Sequence, residues 1–240
     1  MVGRAGSARG ALVVADGDVP RRAVLDAAWP GWADEVAVVI AADGGWEKAT
    51  AIGLLPDLLV GDADSLSEER FAELAAAGVS IERSPVAKDE SDAELAILAA
   101  LRQGATHVTV LGALGGKRFD HAMANVGLLG LPDPGEADVE LLDGTTRVRL
   151  LRAPAAEGGP AMCGLSGGIG DLVSLLPLGV PAFGITTDGL LYPLRGETLP
   201  PGPARGLSNV RIAADASVTL RQGSLLVIEM RGNVSAPEES

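Results

Sequence analysis

Asp62 and Asp64 close the run "LLPDLLVGDADS" (54–65), in which apolar residues lead directly into two aspartates one residue apart. Carboxylates brought together repel and raise one another's pKa unless a cation intervenes. Three further polar groups stand at comparable places. Asp43 is followed by Gly44 and Gly45 in "ADGG" (42–45). Lys88, Asp89 and Asp92 lie in "KDESD" (88–92), and Arg118, Asp120 and His121 in "GALGGKRFDH" (112–121). Oxygen ligands without a Cys/His cluster favour a hard cation, above all Mg²⁺, which takes one or two carboxylates together with substrate phosphates. Glycines at 44–45, 112 and 115–116 would let backbone N–H groups approach phosphate oxygens. Lys88, Lys117 and Arg118 would neutralise further charge. These residue types point to Mg²⁺ with a polyphosphate, and to phosphoryl-type transfer. Taken singly, each group has a plainer explanation: Asp64 or Ser65 as a helix cap, Asp92 as a first-turn charge. Weight comes from four groups converging on one edge of one sheet. The familiar nucleotide loops are missing: "GALGGKR" has one residue too few between its glycines for a P-loop, and no G-x-G-x-x-G follows a strand.

Such residues need a scaffold that brings strand ends together. Up to about residue 130, short apolar runs alternate with helical patterns, as expected for a parallel sheet covered by helices. The spacing predicts strands at 11–15, 35–42, 57–61 and 107–112, and helices at 20–28, 45–53, 66–77 and 92–103. Ser65 with Glu68, and Ser91 with Glu94, fit capping boxes, and Gly78 and Gly104 fit the ends of those two helices. In open α/β sheets, ligands bind beyond the carboxyl ends of the strands, where the polar groups above fall. After "LPDPGEAD" (131–138) the pattern changes to short β-like stretches at 146–151, 171–176, 182–187, 210–213, 217–221 and 224–229. The segment 153–170 reads as a loop or linker. The expected fold class is thus an N-terminal parallel-sheet α/β catalytic domain followed by a smaller C-terminal all-β sandwich domain. Its parts are a flexible start (1–10), the α/β domain (11–150), the β domain (151–232) and a flexible tail (233–240).

Composition narrows the partners. The net charge of -13 argues against nucleic-acid binding, which needs a clustered positive field. No apolar run reaches the roughly 18 residues of a membrane span. Cys163 is the single cysteine, so no intramolecular disulfide can form, which suits the cytoplasm; the residue reads as a small core or loop group rather than a nucleophile. Aromatics make up only 3% of the chain, and Trp29, Trp32 and Trp46 read as packing groups, with Trp46 notable for following "ADGG". His107, at a strand start, reads as structural.

In order and spacing, the motifs resemble the thiamine pyrophosphokinase (thiamine diphosphokinase) family. They are "ADGG" (42–45), "PDLLVGDADS" (56–65), "KDESD" (88–92), "RFDHAMAN" (118–125), "TTDGLLYPL" (186–194) and "LSN" (207–209). The resemblance implies transfer of the pyrophosphoryl group of ATP to the hydroxyl of thiamine, releasing AMP. It also implies a homodimer with thiamine at the subunit interface. By position, Asp62, Asp64 and Asp92 would be the Mg²⁺ ligands. Asp43, Gly44, Gly45, Lys88, Asp89, Gly115, Gly116, Arg118, Asp120 and His121 would line the ATP and polyphosphate site, and Ser208 and Asn209 would help hold thiamine. Asp92 or Asp120 would accept the hydroxyl proton, and His121 would support by hydrogen bonding. Three departures stand out: Ser91 where the family has Thr, the inserted Lys117 in "GGKRFDH", and Val227 near the place of a tryptophan that stacks on thiamine in some members.

Rival readings use "DADS" differently. A Mg²⁺-dependent phosphatase would use Asp62 as nucleophile and Asp64 as acid/base, with Asp171 in "GIGDLVSLL" as the sole candidate for its distal acid. A nucleotide-sugar transferase would use the same D-x-D on its metal. A non-catalytic metal- or nucleotide-binding module would keep the site without turnover. The two enzyme rivals leave "KDESD" and "RFDHAMAN" unexplained.

Overall fold

A computed structural model describes residues 10–61, 73–74, 76, 78–84, 88–131, 137–153 and 159–232. The chain divides into two compact units, Met1–Gly144 and Thr145–Ser240. In the first, β1 (Gly10–Val14), β2 (Val36–Ala42), β3 (Leu58–Gly61), β4 (Ser80–Arg83), β5 (His107–Leu111) and β6 (Asp138–Leu142) stand in the order β6-β5-β1-β2-β3-β4. Every pairing among them is parallel. Helices among the described residues include α1 (Arg22–Ala28), α2 (Gly45–Ala51), α3 (Asp92–Arg102) and α4 (Phe119–Leu128).

The apolar runs become strands because a central parallel strand is covered on both faces and has no polar side to show. Leu12, Ile40 and Leu111 are accordingly fully buried. Helix α3 packs on β1, β2 and β3 through Ala96, Ile97 and Ala100, spaced for one helical face. It starts where the capping pattern places it, with the Glu94 N–H donating to Ser91 Oγ at 3.1 Å. The helix expected at 66–77, with its Ser65 cap, lies almost wholly outside the described residues.

Two strands of this sheet escape an apolar-run reading. Strand β4, "SIER", is an edge strand carrying Glu82 and Arg83 on its exposed positions. Strand β6, "DVELL", is interrupted by Glu140, which is buried because Thr109 Oγ1 donates to it at 3.0 Å and His107 Nε2 lies 3.5 Å away. His107 is therefore structural.

The second unit is a β-sandwich. One layer runs β12 (Asn209–Val210), β9 (Leu172–Pro177), β14 (Gly223–Met230), β7 (Thr146–Ala153), and the other β11 (Arg195–Leu199), β10 (Ala182–Asp188), β13 (Ser217–Leu220), β8 (Ala161–Gly164). All pairings within the two layers are antiparallel. Val173, Leu175, Leu225 and Val227 of the first layer share a core with Ile185, Val218 and Leu220 of the second. Burying each such side chain contributes about 1.5–3 kcal/mol. Strand β8 corrects the linker reading of 153–170: its glycine-rich flanks and the exposed Met162 disguise an edge strand whose other side chains point half inward. The stretch expected at 210–213 shrinks to the two residues of β12, after which Arg211 bridges to Leu190.

Candidate active site

In the first unit β1 sits between β2 and β5, so the chain's direction of travel across the sheet reverses beside β1. At such a switch point neighbouring loops part and leave a crevice beyond the carboxyl ends. A cavity of roughly 630 Å³ lies there, lined by the residues after β1 (Asp16–Asp18), Asp43 after β2, Asp92 at the start of α3, and Gly112, Ala113 and Gly115–Arg118 after β5.

The loops that form it meet at backbone distance. Gly17 N–H donates to Gly112 O at 3.0 Å, and a Cβ at Gly17 would lie 2.1 Å from that oxygen. Gly45 and Gly44 let α2 close on β1: a Cβ at 45 would stand 1.9 Å from Val14 O, and one at 44 would stand 2.3 Å from Asp16 Oδ1. Both glycines thus serve packing, and neither lines the cavity. Asp43 takes a left-handed backbone conformation (φ 47°), and its N–H donates to Val60 O at 2.9 Å. Asp is among the few residues that tolerate this region, and strain of this kind gathers at functional sites.

Carboxylate and cation are paired at each corner. Lys88, with its side chain 13% exposed, donates to Asp92 Oδ1 at 2.5 Å and to Ser84 Oγ at 2.7 Å. Arg118 forms a two-pronged pair with Asp120, Nε to Oδ1 at 2.9 Å and Nη2 to Oδ2 at 2.6 Å. That hydrogen bonding, reinforced by the guanidinium charge, holds the Asp120 carboxyl far below the usual carboxylate range and pushes Arg118 up. Lys48 donates to Gly17 O at 2.7 Å. Asn125, buried on α4, donates to Ala113 O at 3.0 Å and fixes the loop after β5.

The structure therefore brings Asp43, Asp92, Gly115, Gly116, Arg118 and His121 to one cavity, with Lys88 held to Asp92 and Asp120 to Arg118. Asp89 is exposed and does not line it. Asp62 and Asp64 lie outside the described residues. Among the described residues no three His, Cys, Asp or Glu side chains cluster as metal ligands. Asp92 is an oxygen donor at the cavity wall, a ligand type that fits a hard divalent ion. Asp16, Asp18 and Lys48 are charged cavity residues outside every motif, exposed only by the sheet order that sets β1 against β5, while Asn125 closes the motif "RFDHAMAN" without having been given a role there.

The thiamine candidates belong to the second unit. Ser208 is exposed and has a left-handed backbone (φ 55°). Asn209 is buried with its amide already committed: Oδ1 accepts from the Tyr192 and Val210 N–H groups at 3.0 and 2.9 Å, and Nδ2 donates to Tyr192 O at 2.8 Å. It clamps the segment bearing Tyr192, the chain's one tyrosine, which is 57% exposed. Val227 faces the sandwich core at 0% exposure, so a tryptophan at that position would meet the core rather than a ligand. The tryptophans form no stacking platform. Trp46 is buried with Ala41, Leu59 and Leu74, Trp29 donates to Asp143 O at 2.9 Å, and Trp32 donates to Asp26 at 2.8 Å. Asp171, the acid a phosphatase would require, is taken up by structure. Burial alone would raise its carboxyl, but the Gly168 and Gly232 N–H groups and Arg231 outweigh that and hold it below its ordinary value.

A switch-point cavity with paired carboxylates and cations, in a chain that also carries an antiparallel sandwich, fits the class of phosphoryl-type transferases. Comparison with known proteins makes this specific. The model of the thiamin pyrophosphokinase catalytic domain matches residues 31–137, and that of the thiamin pyrophosphokinase vitamin B1 binding domain matches 165–225. The thiamine pyrophosphokinase of Bacillus subtilis (strain 168) is 24% identical over 206 residues, 82% of this chain and 89% of its own length. The crystal structure of a Bacillus subtilis thiamine pyrophosphokinase shares the fold at a TM-score of 0.77 and 23% identity, over 93% of this chain and 100% of that one. That of Candida albicans thiamin pyrophosphokinase does so at 0.73 and 16%, over 93% and 89%. The chain belongs to the thiamin pyrophosphokinase family of ATP-dependent diphosphotransferases. No helix among the described residues is long and apolar enough to cross a membrane.

Proposed function

We propose that this chain carries out the family's reaction at the switch-point cavity of its first unit, converting ATP and thiamine to AMP and thiamine diphosphate. The carrying observation is the cavity itself, where Asp43, Asp92 and Arg118 converge beside the Lys88–Asp92 and Arg118–Asp120 pairs. In this reading Asp62, Asp64 and Asp92 hold Mg²⁺. The ion, when bound, neutralises charge on the polyphosphate and departing AMP.

The chain's own groups do the rest by placement and charge. The thiamine hydroxyl attacks the β-phosphorus of ATP, the bond between that phosphorus and the oxygen bridging it to the α-phosphorus breaks, and AMP leaves. Such a transfer depends on alignment and electrostatic stabilisation more than on covalent chemistry. Lys88 and Arg118 exchange their carboxylate partners for phosphate oxygens. Asp120 accepts a proton poorly while Arg118 holds it, and becomes the better acceptor for the hydroxyl proton once Arg118 turns to phosphate. Asp43, Gly115, Gly116 and His121 line the nucleotide site, and Gly44 and Gly45 support it from behind by letting α2 close on β1. Ser208 contacts thiamine, and Asn209 acts through the Tyr192 segment that it clamps. The working form is a cytoplasmic homodimer with thiamine at the subunit interface.

Purified protein given Mg²⁺, ATP and thiamine should yield thiamine diphosphate and AMP in equal amounts. Formation of ADP or free phosphate in their place would reject the transfer mode.

A further inference from the structure

Lys48 stands in the last turn of α2, outside every stretch that drew attention in the sequence except by adjacency to "ADGG". Its ammonium donates to Gly17 O at 2.7 Å and lies 3.6 Å from Asp16 Oδ1. Gly17 is held from the opposite side too, since its N–H donates to Gly112 O at 3.0 Å. No side chain could replace its hydrogen, because a Cβ there would also stand 2.6 Å from Gly115 O. Thus the loop after β1 is gripped by the loop after β5 on one side and by Lys48 on the other, and all three line the same cavity. Electrostatics points the same way. Asp16, with its side chain 64% exposed, presents a carboxylate where a polyphosphate would have to approach, and Lys48 is the cation beside it. Lys88–Asp92 and Arg118–Asp120, also at this cavity, each lie in a motif, whereas Lys48–Asp16 does not.

We infer that Lys48 is a positioning residue of the nucleotide pocket, which locks the β1 loop through Gly17 and cancels the Asp16 charge at the polyphosphate's approach. The inference rests on reading this cavity as the ATP site. Losing Lys48 frees the loop and exposes the anion to an uncompensated carboxylate, so nucleotide binding suffers while the thiamine residues of the other unit are untouched.

Titration of the full chain with Mg-ATP in the absence of thiamine tests this. Lys48→Met should weaken ATP binding about ten-fold, as expected when a charge-assisted contact is lost, with the KM for thiamine and the thermal midpoint unmoved. Lys48→Arg keeps a charge and a donor and should stay within about three-fold of the parent. Adding Asp16→Asn to Lys48→Met should recover part of the loss, because the uncompensated charge is removed. Unchanged ATP affinity in Lys48→Met, an equal loss toward ATP and thiamine, or no recovery with Asp16→Asn would overturn the inference. If the parent binds ATP yet forms no thiamine diphosphate, the proposed function falls, and Lys48 is still judged by the same titration. If the parent binds no ATP, both fall.

Discussion

In the second unit Glu229 is 2% exposed and accepts hydrogen bonds from Arg147, Arg149 and the Ser166 N–H, the last at 2.6 Å. In the first unit Arg118 and Asp120 pair in the open, with side chains 66% and 63% exposed. Both set a carboxylate against arginine, and the consequences are opposite. A buried carboxylate held by several donors cannot change partners without leaving charges desolvated and unpaired. An exposed pair contributes little to stability and can trade its partner for another anion at small cost. Lys88–Asp92 stands between these, at 13% and 36% exposure. The sandwich uses charge to fix a shape, and the α/β cavity leaves its charge pairs open to exchange.

Substitutions should separate the two uses. Glu229→Ala leaves Arg147 and Arg149 without their shared carboxylate and should cost about 3–5 kcal/mol in urea unfolding. A cost below about 1 kcal/mol would erase the contrast between the two units. Arg118→Ala should instead lower kcat/KM by about 10²–10³-fold, the size seen when a donor to developing charge is removed. Its urea midpoint should stay where it is; a fall in that midpoint would mark the pair as structural. Ser91→Ala removes the α3 cap and should cost about 1 kcal/mol, setting a scale for a local neutral contact. The smallest effect concerns pH. Because the Asp171 carboxyl is depressed in the folded chain, its contribution is full above the ordinary carboxylate value of about 3.9 and is lost as pH falls through the folded value. Asp171→Asn should therefore lose less stability than the parent on acidification below about pH 4. An identical acid response would show that the Gly168, Gly232 and Arg231 contacts carry no linkage.

The same contrast explains what could be read from residues alone. Strands β1, β2 and β3 announce themselves as apolar runs, and β5 does so because Val108, Val110 and Leu111 outweigh the polar His107 and Thr109. Strands β4, β8 and β11 do not, since each lies at an edge of its sheet and carries exposed or charged side chains such as Arg83, Met162 and Glu197. In the site, Asp43, Asp92 and Arg118 were legible because their motifs pair a carboxylate or cation with glycine or a helix start. Asp16 and Lys48 were not, because their importance depends on β1 lying beside β5, a pairing between residues 10–14 and 107–111 that local pattern cannot express. Asn209 stood out only through the resemblance of "LSN" (207–209), and its commitment to the Tyr192 backbone emerges only from the folded chain.

Thiamine diphosphate formation at the cavity of the first unit requires the pyrophosphoryl group to move as a whole. A single turnover with ATP labelled at the β-phosphorus, thiamine and Mg²⁺ reads it directly. The label should arrive in thiamine diphosphate at the rate AMP appears, and Arg118→Ala should slow both together. Label recovered in ADP or inorganic phosphate, or unslowed transfer in Arg118→Ala, would contradict it.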